Sequence, residues 1–188
     1  MGPEGSGNWL AMLDGAEAIL REEGHAALTS RRVAERIAVK QRLVYYYFRT
    51  MDDLVISLFR RMSERELMRL KAAAMQPQPL RTLWKISLHS TDSRLIAEFM
   101  ALASRIDGLR REVIYFIEAA REIEVSVLTA AMNRVPQAGN MGPTGLAVTI
   151  TSLALLLSRE SQLGVSSGHA EIISALDAFL DQVEPLDA

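Results

Sequence analysis

With 188 residues, 49% of them apolar, and a formal charge of −2, the chain has ample material for a core, and its overall charge selects no partner class. It contains no cysteine, which excludes disulfide frameworks, thiolate metal sites and cysteine nucleophiles together. The opening, MGPEGSGNWL, lacks a basic segment followed by an apolar run, so a cytoplasmic location is expected. The charge is nevertheless uneven. Arg31, Arg32, Arg36, Lys40, Arg42 and Arg49 stand against Glu35 alone, a local basic patch that suits an anionic partner.

In chain order, Trp9, Leu13, Ala16 and Leu20 recur at i, i+4, i+7 and i+11 and predict a first helix that Gly24 ends. Thr29 or Ser30 can cap a short second helix with Val33, Ala34 and Ile37 inward. Ala38-Val39 then makes a tight link to a third helix, roughly residues 40–48. Thr50 followed three residues later by Asp53 is a capping pattern. It opens a fourth helix running to about Met75, where Gln76-Pro77-Gln78-Pro79 stops it.

Beyond that break, Leu80, Leu83, Trp84 and Leu88 form one apolar stripe and Leu95, Phe99, Leu102 and Ile106 the next. A long helix is expected from Leu109 to about Arg134. It points Val113, Phe116, Ile117, Ala120, Val127 and Ala131 inward, and Arg111, Glu112, Glu118, Arg121 and Glu122 outward. Pro136 to Pro143 reads as a loop, and two helices fit residues 145–162 and 169–183 before Pro185. The uncharged run Met141–Ser158 is broken by Gly142, Pro143 and Gly145. Its apolar part falls short of the roughly 20 residues a membrane span needs, so it reads as a buried helix and no membrane partner is expected. No strand pattern or repeat emerges. The expectation is an all-α chain of about nine helices: a three-helix helix-turn-helix domain over residues 1–50, then a helical bundle over 51–188.

The third helix carries the chemistry. Val44 and Phe48 share one face with Tyr47 beside them, whereas Arg42, Tyr45, Tyr46 and Arg49 occupy the opposite face. A guanidinium is a bidentate donor and a phenol a rigid rod with a polar tip, both suited to phosphate oxygens and base edges. Thr29, Ser30 and Arg31 open the second helix, where hydroxyls and free amides suit a phosphate. Two helices joined by so short a turn make a helix-turn-helix, one lying across the backbone and one entering the major groove.

Residues 10–60 resemble the N-terminal domain of the TetR/AcrR family of bacterial transcriptional regulators. The resemblance rests on Gly24, Thr29, Val33-Ala34, Val39, Tyr45-Tyr46-Tyr47, Phe48 and the Asp52-Asp53-Leu54 opening of the fourth helix. It implies that Ser30 and Arg31 reach DNA from the second helix, that Gln41, Arg42 and Leu43 face base edges, and that Tyr45, Tyr46 and Tyr47 contact backbone or thymine methyls, Tyr47 being largely structural. Lys40 and Thr50 would touch phosphates. Ala38 replaces the turn glycine of the family, Met51 replaces a phosphate-touching lysine, and Arg49 or Thr50 would stand in for it. Long side chains at Lys40, Gln41, Arg42 and Leu43 replace the usual small residues, which implies an altered base preference.

The resemblance also implies a small-molecule effector and a homodimer on a palindromic double-stranded DNA operator. The expected dimer face is Leu146, Ile150, Leu153, Leu157, Ile172, Leu176, Phe179 and Leu180, a paired four-helix interface or, alternatively, the core of one protomer. Trp84, His89, Phe99, Met100, Tyr115 and Phe116 are the candidate lining of an apolar effector pocket, with core packing as the other reading. The family role implies release of a repressor by the effector, through a fourth helix that links reading head and bundle. An enzyme is not expected: His25, His89 and His169 lie far apart without metal spacing, and no nucleophile motif is present. No metal or cofactor is called for. The remaining alternative is a helical ligand- or protein-binding module that has lost sequence-specific DNA binding.

Overall fold

The computed structural model describes residues 2–88, 93–133 and 141–185, and its regular elements among them are nine α-helices and one short 3-10 turn. The helices are α1 (Gly7–Glu23), α2 (Ser30–Arg36), α3 (Gln41–Tyr47), α4 (Met51–Ala74), α5 (Pro79–Leu88), α6 (Ser93–Ala103), α7 (Asp107–Met132), α8 (Pro143–Gln162) and α9 (His169–Val183). No described helix is long and apolar enough to cross a membrane. The chain divides into two compact units, Met1–Arg65 with Arg94–Tyr115, and Glu66–Ser93 with Phe116–Ala188.

In the first unit, the Ser6 hydroxyl accepts the Trp9 amide at 3.4 Å to start α1, and Gly24 ends it at φ 82°, a conformation glycine adopts without steric cost. The inward face of α1 buries Met12, Leu13, Ala16, Ile19 and Leu20 completely. Gly15 lets α1 approach the end of α2, since a Cβ there would stand 2.8 Å from Ile37 Cγ2. Thr29 is the cap of α2, accepting the Arg32 amide at 3.2 Å, and Ser30 is its first helical residue. Ala38 turns the chain into α3 at φ 55°, the one non-glycine residue with positive φ among those described. Thr50 and Asp53 form the reciprocal capping box that opens α4, at 3.0 and 3.1 Å. The segment from α6 into α7 belongs to this unit and packs on its other helices. Phe99 meets Phe59 edge-on at 5.0 Å, Arg60 donates to Glu112 at 2.6 Å, and His25 pairs with Glu98 at 2.5 Å.

In the second unit the end of α9 caps the start of α5. The Glu184 carboxylate accepts the amides of Leu80 and Arg81 at 3.0 and 2.9 Å, satisfying donors that a helix N-terminus leaves open. Arg81 in turn pairs with Asp181. Leu83, Trp84, Leu128, Ala131, Ala147, Ala154, Leu157, Leu180 and Val183 belong to the core they enclose. Helix α8 opens at Pro143, two residues before the expected start, because proline suits the first helical position. It is buried on one side only: Ala147, Ala154 and Leu157 face inward, but Val148 and Leu155 stay exposed. The expected loop at Pro136 to Pro143 lies mostly outside the described residues.

Two side chains expected on the outer side of α7 are half-buried: Glu112, drawn in by Arg60, and Arg121, whose Nε is enclosed without a hydrogen-bond partner among the described residues. On the inward stripe of α7, Glu124 is the exception to apolar lining. Its two carboxylate oxygens stand 3.0 Å from the Thr151 hydroxyl. Burial pushes the Glu124 carboxyl above its ordinary range, with the Thr151 hydrogen bond and the Arg121 charge opposing only in part.

Two stability measurements follow from these sites. The left-handed conformation costs a side-chain-bearing residue about 1–2 kcal/mol, and glycine gives back part of that relief through its freer unfolded chain. Ala38→Gly is therefore expected to raise stability by up to about 1 kcal/mol, read as a higher urea midpoint with unchanged slope. For Glu124, the folded protein keeps a proton that the unfolded chain has already released once pH exceeds about 4. Stability contributed at this site is thus full at low pH and declines as pH rises through the window up to the raised folded value. Glu124→Gln should be the more stable protein at neutral pH, and the difference should vanish below about pH 4.

Candidate nucleic-acid interface and cleft

Helix α3 has seven residues, too few to persist alone in water. It is held by Val44, Tyr47 and Phe48, each less than a tenth exposed, with Phe48 stacked on Trp9 at 6.1 Å. The N-terminal arm reinforces the same end. The Gly2 amide donates to the Tyr46 carbonyl at 2.9 Å, and a Cβ on Gly2 would lie 2.3 Å from the Tyr47 ring. Tyr46 and Tyr47 meet edge to face at 5.3 Å. With the inner face engaged, Lys40, Gln41, Arg42, Tyr45, Tyr46, Arg49 and Thr50 are exposed, and Leu43 is half-buried.

The outer face is organised by a hydroxyl. Ser30, itself buried, accepts from Gln41 Nε2 at 2.9 Å and donates to the Tyr45 hydroxyl at 2.9 Å. This leaves the Tyr45 proton and the second Gln41 proton free to donate outward. Ser30 therefore sets the geometry of two neighbours and does not itself present a free hydroxyl. Thr29 and Arg31 are exposed at the start of α2, but the Thr29 hydroxyl is committed to its cap.

The basic patch is smaller than the residue count suggests. Arg32 makes a bidentate pair with Glu23, and Arg36 one with Glu22, both acids lying at the end of α1. Arg31 bonds Glu35 at 2.8 Å. Lys40, Arg42 and Arg49 have no ion-pair partner among the described residues, so positive charge concentrates on and beside α3.

Of the six residues expected to line an effector pocket, five are described. Trp84 lines a cleft of the second unit. Phe99 packs in the first unit against Phe59, Met100 and Tyr115 are exposed, Phe116 is half-buried, and His89 lies outside the described residues. The cleft encloses a cavity of about 30 Å³ within about 390 Å³ of space that is partly open solvent. Helix α5 supplies Leu80, Leu83, Trp84 and Ser87, and α7 supplies Glu124 and Leu128. Ala147, Ile150 and Thr151 come from α8, and Leu176 and Leu180 from α9. Glu124 had a legible signal, because it lies four residues after Ala120 and three before Val127, a carboxylate on an apolar stripe.

Of the eight residues expected at a dimer face, Leu157 and Leu180 are enclosed in the core of one protomer, and Ile150 and Leu176 also line the cleft. Leu146, Leu153, Ile172 and Phe179 are half-buried. The two described histidines pair with carboxylates, His25 with Glu98 and His169 with Glu160 at 2.8 Å. No cluster of three or more metal-ligating side chains occurs among the described residues.

Comparison with known proteins agrees with this geometry. No curated protein is similar enough in sequence to count as a relative. A proposed transcriptional regulator from Pseudomonas aeruginosa PAO1 has a similar structure, with a TM-score of 0.76 at 17% identity over 95% of this chain and 91% of that one. Reduced NemR of Escherichia coli gives 0.74 at 14% identity over 96% and 97%. A TetR/AcrR-family regulator of Thermobifida fusca YX-ER1 gives 0.68 at 18% identity over 97% and 100%. Likeness at such low identity establishes the fold. Residues 12–58, from α1 into α4, match the sequence profile of the bacterial regulatory proteins of the tetR family, so this stretch is similar to the N-terminal domain of those regulators.

Proposed function

We propose that the protein is a ligand-responsive repressor that binds a palindromic operator as a dimer and is released by a small, mainly apolar effector. The observation that carries this reading is the division of α3, with Val44, Tyr47 and Phe48 held in the core and Arg42, Tyr45, Tyr46 and Arg49 turned out. Gln41, Arg42 and Leu43 would meet base edges, Tyr45 and Tyr46 the backbone or thymine methyls, and Lys40, Arg49 and Thr50 phosphates. Tyr47 would act as an anchor. Thr29 and Ser30 would position their neighbours, and Arg31 would reach a base once it leaves Glu35.

Functionally, residues 1–50 would read DNA and residues 51–188 would bind the effector and dimerise. Dimerisation through α8 and α9 is supported by Val148 and Leu155, exposed on one α8 face, with Leu146, Leu153, Ile172 and Phe179 half-exposed nearby. A palindrome needs two reading heads related by a two-fold axis. Helix α4 carries residues of both units, so an effector that displaces its C-terminal part would alter the spacing of the two α3 helices. DNA and effector would then weaken each other by the same factor.

A second reading, a binding module that has lost base-specific recognition, draws on the ion pairs that occupy Arg31, Arg32 and Arg36 and on Met51 at the start of α4. Selection of bound duplexes from a random library separates the two. The repressor should enrich a palindrome with half-sites about one helical turn or somewhat more apart, and its affinity should fall by roughly three orders between about 50 and 200 mM salt. Weak binding shared equally by a scrambled duplex would establish the second reading. On the enriched operator, Arg31→Ala should weaken binding about tenfold or more and relax preference at one base pair. Lys40→Ala should weaken all duplexes alike and reduce the salt slope by about one. Leu155→Glu should yield monomers by sedimentation and abolish operator binding at concentrations where the parent saturates it, while helicity is retained.

A further inference from the structure

Resting on the proposed effector response and taking the second-unit cleft, which Trp84 lines, as the effector site, we infer that its ligand carries a primary or secondary ammonium head on an apolar body, and that Glu124 holds the head. Leu83, Trp84, Leu128 and Leu176 offer the body an apolar wall. Among the described lining residues Glu124 is the only ionisable one. With no lysine, arginine or histidine among the described lining residues, an anionic ligand would find no counter-charge there and would meet the carboxylate at close range.

A neutral apolar ligand is also poorly served. It would strip water from Glu124 and return no hydrogen bond. Thr151 stands 3.0 Å from both oxygens but owns one proton, whereas a carboxylate has about four acceptor positions. Arg121 lies one turn earlier on α7 and does not line the cleft. An ammonium supplies two or three donors and the missing charge in one group, and charge-assisted hydrogen bonds of this kind are about twice as strong as neutral ones. Its own desolvation is offset only where such a partner waits, which makes the cleft selective for this head over others of equal size.

Three probes of matched size test this: 2-phenylethylammonium, 2-phenylethanol and phenylacetate, titrated calorimetrically at neutral pH into the full-length protein and into Glu124→Gln and Thr151→Val. The ammonium should bind about tenfold or more tighter than the alcohol, with phenylacetate weakest. Glu124→Gln should erase that preference. Thr151→Val, which keeps the carboxylate, should retain the preference. If the alcohol or phenylacetate binds as well as the ammonium and Glu124→Gln changes nothing, the ammonium assignment is overturned and the effector cleft stands. If no probe binds and none displaces operator DNA, the cleft is not the effector site, and the assignment falls with it. Operator affinity, measured separately, reports the DNA-binding function in every case.

Discussion

Burial of Val44, Tyr47 and Phe48 is the constraint on which the reading surface depends. A helix of seven residues gains too little from its own hydrogen bonds to offset the entropy of fixing its backbone. Each of these side chains contributes on the order of 1.5–3 kcal/mol when removed from water. Together with the Trp9–Phe48 stack and the Gly2 arm across Tyr46 and Tyr47, they position a helix that could not hold itself. The exposed residues on its other face inherit that position without contributing to it, which leaves them available for the DNA contacts proposed above.

The same economy governs the charges. Six basic side chains within nineteen residues would repel one another if left alone, and α1 supplies the relief through Glu22 and Glu23. Exposed pairs of this kind add little stability, but they decide where the remaining field points. Lys40, Arg42 and Arg49 keep their charge available on and beside α3, while Arg32 and Arg36 brace α2 against α1. Ser30 does the equivalent work for neutral donors, aligning Gln41 and Tyr45 so that less rotamer freedom would be lost in the proposed contact with a duplex.

In the second unit a carboxylate in an apolar lining is a stability cost, and the fold lessens it only partly through Thr151. Polar groups kept in such places tend to mark function, and Glu124 stands on the wall of the cleft that also holds Trp84. On the proposed reading, stability and ligand recognition would be set against each other at this one residue.

Local pattern determined much of this protein. Helical periodicity, the Gly24 stop, the Thr50–Asp53 box and the proline break after α4 placed the helices to within a few residues, because caps and breakers act over one turn. The two faces of α3 were legible for the same reason: residues three and four apart share a side whatever the rest of the chain does. Which side chains meet across helices was not legible. Nothing local says that Glu22 and Glu23 neutralise Arg36 and Arg32, that Ser30 turns inward to Gln41 and Tyr45, or that Phe99 packs on Phe59 in the first unit while Trp84 lines a cleft in the second. Leu157 and Leu180 show the limit most plainly. An apolar face on a helix must be covered, but only the packed structure decided that the chain's own core covers these two and leaves Val148 and Leu155 open. Periodicity fixes which residues turn together, whereas burial depends on long-range neighbours brought close by the fold.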